Sequence, residues 1–140
     1  MIRLDLMRKA FDEAMFELFH FYAGDFQWTG INTSSTPDMS KLVVTTGFLP
    51  GRPFSEELGG PEALSIREGV YVITQSLPKN YPVDRAWELA GILEERFRRQ
   101  ALNAHTCSVW CDEPYTENRG SEPGTGRFLI STTVPWSVVN

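Results

Sequence analysis

The chain has few of the residues that build metal centres and disulfide frameworks. Its 140 residues include two cysteines and two histidines, and Cys107 and Cys111 fall four positions apart in a segment that alternates like a strand. Four strand positions separate Cα atoms by about 13 Å, whereas a disulfide needs Cα atoms within about 7 Å. A zinc site would need closer cysteine or histidine pairs, and His20 and His105 stand alone. We therefore expect two reduced, buried cysteines, no metal and no cofactor.

Positive charge is also scarce. Thirteen Lys and Arg residues stand against 18 Asp and Glu residues, which gives a formal net charge of −5. Nucleic acid and anionic lipid are polyanions, and binding them normally takes a net or clustered positive surface. The composition therefore argues against either one as the primary ligand.

Long hydrophobic runs are missing as well. No stretch approaches the ~20 apolar residues that a membrane-spanning helix needs. The first residues carry charges at Arg3 and Asp5, where a secretory signal would need an unbroken apolar run. We expect a soluble protein that is made in a cytosol and has no membrane partner.

The sequence also shows no catalytic signature. No serine lies in a Gly-x-Ser-x-Gly elbow, and neither histidine has a motif around it. Gly120, Gly124 and Gly126 are followed by a strand pattern and by no Lys-Ser pair, unlike the glycines of a phosphate-binding loop. Active sites can be assembled from residues far apart in sequence, but these observations favour a binding or structural protein over an enzyme.

Apolar residues make up 41% of the chain, which is enough for one core, so we expect a single domain over residues 1–140. They recur every three or four positions from Leu4 to about Tyr22, which predicts a helix. A second helix is expected from Asp84, its N-cap, to about Gln100. The apolar side of this second helix consists of Ala86, Trp87, Leu89, Ala90, Ile92, Leu93 and Phe97.

Alternating apolar residues predict strands over 41–48, 64–74, 106–113 and 127–139, with a shorter alternation at 26–28. A bulge is expected at Gly69, and Pro135 suggests an edge position or a bulge near the end of the closing strand. Short connections between these elements favour antiparallel pairing. The predicted fold is α+β, with a mostly antiparallel sheet of four to five strands and both helices packed on one face. Of the second helix, Trp87, Leu93 and Phe97 are expected to pack against Val70 and Val72.

Two long loops are predicted, at 49–60 and 114–126. They carry the apolar residues Phe54, Leu58 and Tyr115, which makes these candidate contact residues. A closing strand at a sheet edge would also need a partner, because bare edges aggregate. With Arg119 and Trp136 added, these residues form the predicted oligomer or partner interface.

The middle of the chain resembles a known family. It resembles the tail terminator proteins of long-tailed bacteriophages. The resemblance lies in residues 69–74, the proline turn after them, the helix from Asp84 to the Phe97-Arg98-Arg99 end and the alternating closing strand. The first helix and the strand at 42–48 fit the same plan, so the resemblance covers nearly the whole chain. The sequence departs from the shorter members of the family in its loops at 50–60 and 114–126.

The resemblance implies a structural virion protein that assembles in the host bacterial cytoplasm. It would form a hexameric ring that caps the tail tube protein, stops tube elongation and offers the surface that a head-completion or neck protein joins. DNA would pass through the ring without specific binding, which an acidic subunit favours because phosphate contacts would hold the duplex. Two alternatives stay open, namely a phage neck or connector protein, and a monomeric domain with a small-ligand pocket under the long loops.

Overall fold

A computed structural model describes residues 2–22, 26–29, 38–55 and 65–139 of the chain, without the side chains of 29, 53–55 and 65. The described part contains two helices and seven strands. In chain order they are α1 Leu4–Phe21, β1 Gln27–Thr29, β2 Val43–Ser55, β3 Ser65–Leu77, α2 Val83–Phe97, β4 Ala101–Asn103, β5 Ser108–Cys111, β6 Tyr115–Ser121 and β7 Phe128–Val139. In this part of the chain, no helix is both long and apolar enough to cross a membrane.

Both predicted helices form. α1 buries the expected stripe, including Met7, Phe11 and Met15. The start of α2 differs in detail from the prediction, because Pro82 is its N-cap and Asp84 lies in the first turn. The fixed φ of proline suits a helix start, and the Asp84 carboxylate lies at the positive end of the helix dipole.

The sheet is larger than the sequence indicated. Its strand order is β1-β2-β3-β7-β5-β4, and β6 also pairs with β7. β1 runs parallel to β2 while the other pairs are antiparallel, and this mixed sheet curls into a half-barrel. The prediction of a mostly antiparallel sheet of four to five strands is therefore wrong. A strand of three residues such as β4 is too short to show alternation, and the composition of β6 is polar.

The two predicted long loops are largely strand. β2 continues to Ser55 and accommodates its prolines by a shift of register between Pro50 and Pro53. A bulge was expected at Gly69 of β3. It lies instead on β2, directly after Pro50, which is the partner of Gly69. β6 occupies most of the second predicted loop, and its polar side chains are those of an exposed edge.

The closing strand β7 lies inside the sheet. It pairs with β3 along its whole length, and its other side carries β6 up to Thr133 and β5 from Trp136. Pro135 lies at this change of partner, where its carbonyl accepts the N–H of Asp112 at 2.8 Å. The N–H and C=O of a residue face the same neighbour in an antiparallel ladder. The N–H that proline lacks would therefore have pointed into the space between β5 and β6, where β7 has no ladder partner on that side. The expected edge position of this strand is wrong.

The core lies between the helices and one face of the sheet. Phe11 of α1 stacks on Tyr71 of β3 with ring centroids 4.6 Å apart, and Phe97 of α2 lies 6.0 Å from Phe11 and 6.1 Å from Tyr71. Phe48 and Trp136 extend this cluster with parallel rings 5.2 Å apart. Both helices therefore contact the face that Tyr71 occupies.

The predicted packing partners of α2 were partly wrong. Leu93 and Phe97 are fully buried, but Trp87 is 42% exposed. Val70 and Val72 alternate with Tyr71, so they belong to the opposite face of β3. The two faces of β3 are both apolar, and the face toward the helices also makes polar contacts that a hydrophobic pattern does not show.

Three such polar contacts fix the register of the elements. The Tyr71 hydroxyl donates to Asp12 Oδ1 of α1 at 2.8 Å, and Gln75 Nε2 donates to the Ala86 carbonyl of α2 at 3.0 Å. The buried Arg127 guanidinium donates to the Ser76 hydroxyl and to the carbonyls of Ser76, Met39 and Lys41. Arg127 thereby ties the turn before β2 to the ends of β3 and β7.

Candidate interaction edge

β5 and β6 form one broken strand along β7. β5 pairs with β7 at Trp136 and Ser137, the chain then crosses Asp112 to Pro114, and β6 pairs with β7 as far as Phe128. β4 adds three residues beside β5. Within the described residues β6 pairs with β7 alone, so the outer backbone edge of this seven-residue strand is open.

Two exposed aromatic rings mark this region. Trp110 and Tyr115 are each 47% exposed, and they lie opposite Ser137 and Thr133 of β7. Four strand positions separate these partners, so their Cα atoms are about 13 Å apart along β7, and both rings belong to the sheet face that carries no helix. A shallow depression of ≈ 430 Å³ lies in this region of the sheet. It is lined by Glu68, Gly69, Val70, Asp112, Pro135, Trp136 and Ser137.

β6 also presents a compact ion pair. Arg119 Nη2 lies 3.1 Å from Glu117 Oε2, and Arg119 Nε donates to the Ser131 hydroxyl of β7 at 2.9 Å. The local register shift between Asn118 and Gly120, where Gly120 has φ of 76°, leaves Arg119 as the extra residue of a bulge. We refer to Trp110, Tyr115, Glu117 and Arg119 as the β6 edge patch.

The arginines at the end of α2 have carboxylate partners near the same edge. Arg99 Nε donates to Glu113 Oε1 at 2.7 Å, and Arg98 Nε lies 3.3 Å from Glu113 Oε2. Arg96 pairs with Glu17 of α1 at 3.5 Å. These contacts give the arginine cluster a structural role in holding α2 and α1 to the chain around β5.

The five residues predicted for the interface differ in where the structure places them and in whether it describes them. Tyr115 and Arg119 are exposed neighbours on β6 and belong to the patch. Phe54 is part of β2 but its side chain is outside the described residues, as is Leu58 altogether. Trp136 is 2% exposed, so its indole packs inside the subunit and offers no surface to a partner.

Trp110 was missed as a candidate although the sequence contained a signal for it. It alternates with Val109 and Cys111, which are fully buried, so a tryptophan in this phase is expected on the opposite face. Because that face carries no helix, the ring remains accessible. A large aromatic residue that alternates with buried residues, as Trp110 does, is the sequence pattern that predicts an exposed ring.

The cysteines have the chemistry of packing residues. Both are free thiols, and burial raises the pKa of Cys111 to about 12, so its thiol stays protonated near neutral pH. Among the described residues, no three His, Cys, Asp or Glu side chains are grouped so that they could hold a metal ion.

A second concavity lies between the end of α1 and the start of α2. Its volume is ≈ 250 Å³, and it combines aromatic rings with one basic and one acidic side chain. The lining residues are Tyr22, Leu42, Tyr81, Arg85, Glu88, Leu89 and Ile92. This is not the place under the long loops where a ligand pocket was expected.

Comparison with known proteins gives the fold and no function. No protein-family model matches the sequence, and no curated protein matches it significantly. A solved structure whose name states no function superposes with a TM-score of 0.72 over 99% of this chain and 96% of its own, at 16% sequence identity. At that identity the similarity shows a shared architecture alone.

Proposed function

We propose that the protein is a ring-forming tail terminator, a structural and non-catalytic subunit that caps a phage tail tube and offers a joining surface to the head side. The proposal starts from the sequence resemblance described above. In this role several copies associate head to tail, one ring face binds the last layer of tube protein, and the opposite face binds a head-completion or neck protein.

One structural observation carries the proposal, namely that among the described residues the sheet ends in strands with no further pairing partner on both sides. β1 is the outer strand at one end of the strand order, and β4 and β6 are the outer strands at the other. Head-to-tail association needs two different surfaces on each subunit, and such contacts form a ring when the rotation closes. Open edges at opposite ends of one sheet are well suited to this, and closure removes the bare edges.

The β6 edge patch is the better candidate for one side of that contact. It combines the longest open strand at these edges with two half-exposed aromatic rings, and tyrosine and tryptophan dominate the energetics of many interfaces. The bulge at Arg119 ends the regular part of the edge, so Tyr115 to Asn118 form the segment that fits a neighbouring strand.

Assembly is tested first on the purified protein. Light scattering over a concentration series and negative-stain electron microscopy should show closed rings, either of the protein alone or after addition of tail tubes. Tyr115→Lys should prevent ring formation, because a lysine on an open edge opposes strand pairing. Met39→Lys changes an exposed apolar residue in the turn before β2 and should leave rings intact. A monomer under every condition, tubes included, would contradict the proposal.

The function itself is tested by deletion in the phage that carries the gene. A tail tube can add subunits indefinitely, so tails without a terminator should have abnormal lengths and fail to join heads. Purified protein should restore joining when it is added to such lysates. Tails of normal length attached to heads would remove this proposal. Normal-length tails with open necks would instead favour the neck or connector alternative.

A further inference from the structure

The outward side of α2 carries an apolar ridge that no described residue of the subunit covers. Val83 is 45% exposed and Trp87 is 42% exposed, and Gly91 is exposed one turn further on. Residues four positions apart follow one another along the same side of a helix. The core contacts of α2 come from a different side. They involve Ala86, Leu89, Ala90, Leu93 and Phe97. We refer to Val83, Trp87 and Gly91 as the α2 ridge.

In the part of the chain that the structure describes, nothing requires residue 91 to be glycine. It lies in the middle of a 15-residue helix, and a Cβ placed on it would meet nothing within 4 Å. Glycine in such a position costs about 1 kcal/mol of helix stability relative to alanine. A missing side chain beside a half-exposed tryptophan does permit another backbone to approach closely. The ridge therefore has the shape of a contact surface, with Trp87 as a projection and Gly91 as a recess.

The charges around the ridge are acidic. A helix advances by about 100° per residue, which places four carboxylates on the outward side beside the ridge. These are Asp84, Glu88, Glu94 and Glu95. Among the described residues, only Glu95 of this group has a basic partner within 4.0 Å, at 3.8 Å from Arg98. Three carboxylates are thus free to meet cations from outside.

We propose that the α2 ridge docks a cationic amphipathic helix of another protein. Ridges of residues spaced by four pack into the grooves of a second helix at interaxial distances of about 8–10 Å, and a small residue at the crossing permits the closest approach. Lysine or arginine side chains flanking the partner's apolar stripe would meet the carboxylates. A second copy of α2 is disfavoured, since it would place four carboxylates against four others.

The test uses two synthetic helical peptides of the same length and pattern, one of Leu and Lys and one of Leu and Glu. Binding to the whole protein is measured by fluorescence anisotropy of labelled peptide at moderate salt. The Leu-Lys peptide should bind and the Leu-Glu peptide should not. Trp87→Ala should weaken binding by about tenfold or more, as expected for a central aromatic contact. Phe16→Ala is the matched control, because Phe16 is an exposed aromatic residue on the other helix, and it should change binding by less than about twofold.

Gly91→Ala separates docking from folding. The added methyl group should raise the melting temperature, because alanine favours the helix and nothing obstructs it, and yet it should weaken peptide binding by filling the recess. Binding that is equal in wild type and Trp87→Ala, or equal for the two peptides, would overturn the proposal. Loss of an oligomer of this chain on Trp87→Ala would also overturn it, because a second copy would then be the occupant.

Discussion

The two faces of the β-sheet differ in the size and packing of their side chains. The face under the helices is filled by large interlocking rings, with Phe11, Tyr71 and Phe97 in mutual contact and Trp136 stacked on Phe48. Among the described side chains, the opposite face consists mostly of small hydroxyl and aliphatic groups, and its exposed rings, Trp110 and Tyr115, are at the β5–β6 edge. One face therefore holds the subunit together, and the other exposes residues such as Leu49 and Trp110, although Ser131 and Thr133 of β7 are buried on it.

Glycines show the same contrast at the level of single atoms. A Cβ on Gly69 would lie 2.4 Å from Trp136 Cζ2 and 2.5 Å from the Leu49 carbonyl oxygen, both closer than real Cβ contacts. A Cβ on Gly47 would meet nothing within 4 Å. The helix-covered face is packed to the backbone at Gly69, whereas the opposite face has room at Gly47. Substitutions that are alike in chemistry should therefore differ in effect between the faces.

The largest effect is expected for Phe97→Ala on the packed face. Phe97 is fully buried among Phe11 and Tyr71, and removing a buried phenylalanine costs roughly 3–5 kcal/mol through lost burial and the cavity left behind. The measurement is the free energy of unfolding from a urea titration. Trp110→Ala on the open face should change it by about 0.5 kcal/mol or less. Similar losses for both variants would remove the distinction between the faces.

A slightly smaller effect is expected at the rim of the packed face, for Arg127→Met. Arg127 is 7% exposed, and its guanidinium satisfies one hydroxyl and three carbonyls, which would lose their donor in the variant. Each buried group left unpaired costs about 1–3 kcal/mol, although water can reach part of this turn. We expect a total loss of about 2–4 kcal/mol. Arg127→Lys should recover only part of it, because an ammonium lacks the planar fork that reaches several acceptors.

The paired glycine substitutions should have effects of opposite sign. Gly69→Ala should destabilise by about 1–3 kcal/mol, because Trp136 or the β2 backbone must move to admit the methyl group. Gly47→Ala should be neutral or stabilise by up to about 1 kcal/mol, because it restricts the unfolded chain without creating a clash. Both changes in stability are measured by thermal unfolding under identical conditions. Stabilisation by Gly69→Ala would show that the contact with Trp136 is looser than described.

The sequence predicted those parts of the molecule in which local pattern and burial agree. α1, α2 and β7 were found because their apolar residues recur with one period and most of them reach the core. The face of β3 was chosen wrongly, since Val70 and Val72 are as apolar as their neighbours. The face toward the helices buries Tyr71, Ile73 and Leu77, and Tyr71 bonds to Asp12 from it, which is a contact between distant parts of the chain.

The candidate site was harder to predict for a similar reason. Tyr115 and Arg119 were named from a supposed loop, and they prove to be on an edge strand whose exposure depends on how far β4 extends. Trp136 was placed on the surface because its proline neighbour suggested an edge. No local pattern shows that β5 and β6 share one side of β7, because that arrangement depends on the whole sheet.

The smallest and most specific effect concerns Asp12, where α1 meets the packed face. Burial raises the pKa of this carboxyl above its ordinary value near 3.8, while the Tyr71 hydroxyl and Arg8 act in the opposite direction. A raised pKa in the folded state means that the protonated form stabilises the fold, and this contribution is lost as the pH rises through the folded-state pKa. At neutral pH the ionised, partly buried carboxylate therefore lowers the free energy of unfolding.

Asp12→Asn should remove that cost, since the amide oxygen can still accept the Tyr71 hydroxyl. We expect a gain in unfolding free energy at pH 7 of less than about 1 kcal/mol, which disappears as the pH is lowered towards 4. Tyr71→Phe is the opposing control. It removes the hydroxyl that lowers the pKa of Asp12, so the loss of stability between pH 4 and pH 7 should become steeper than in the wild type. A pH profile that is parallel in all three proteins would show that Asp12 is as well solvated in the folded chain as in the unfolded one.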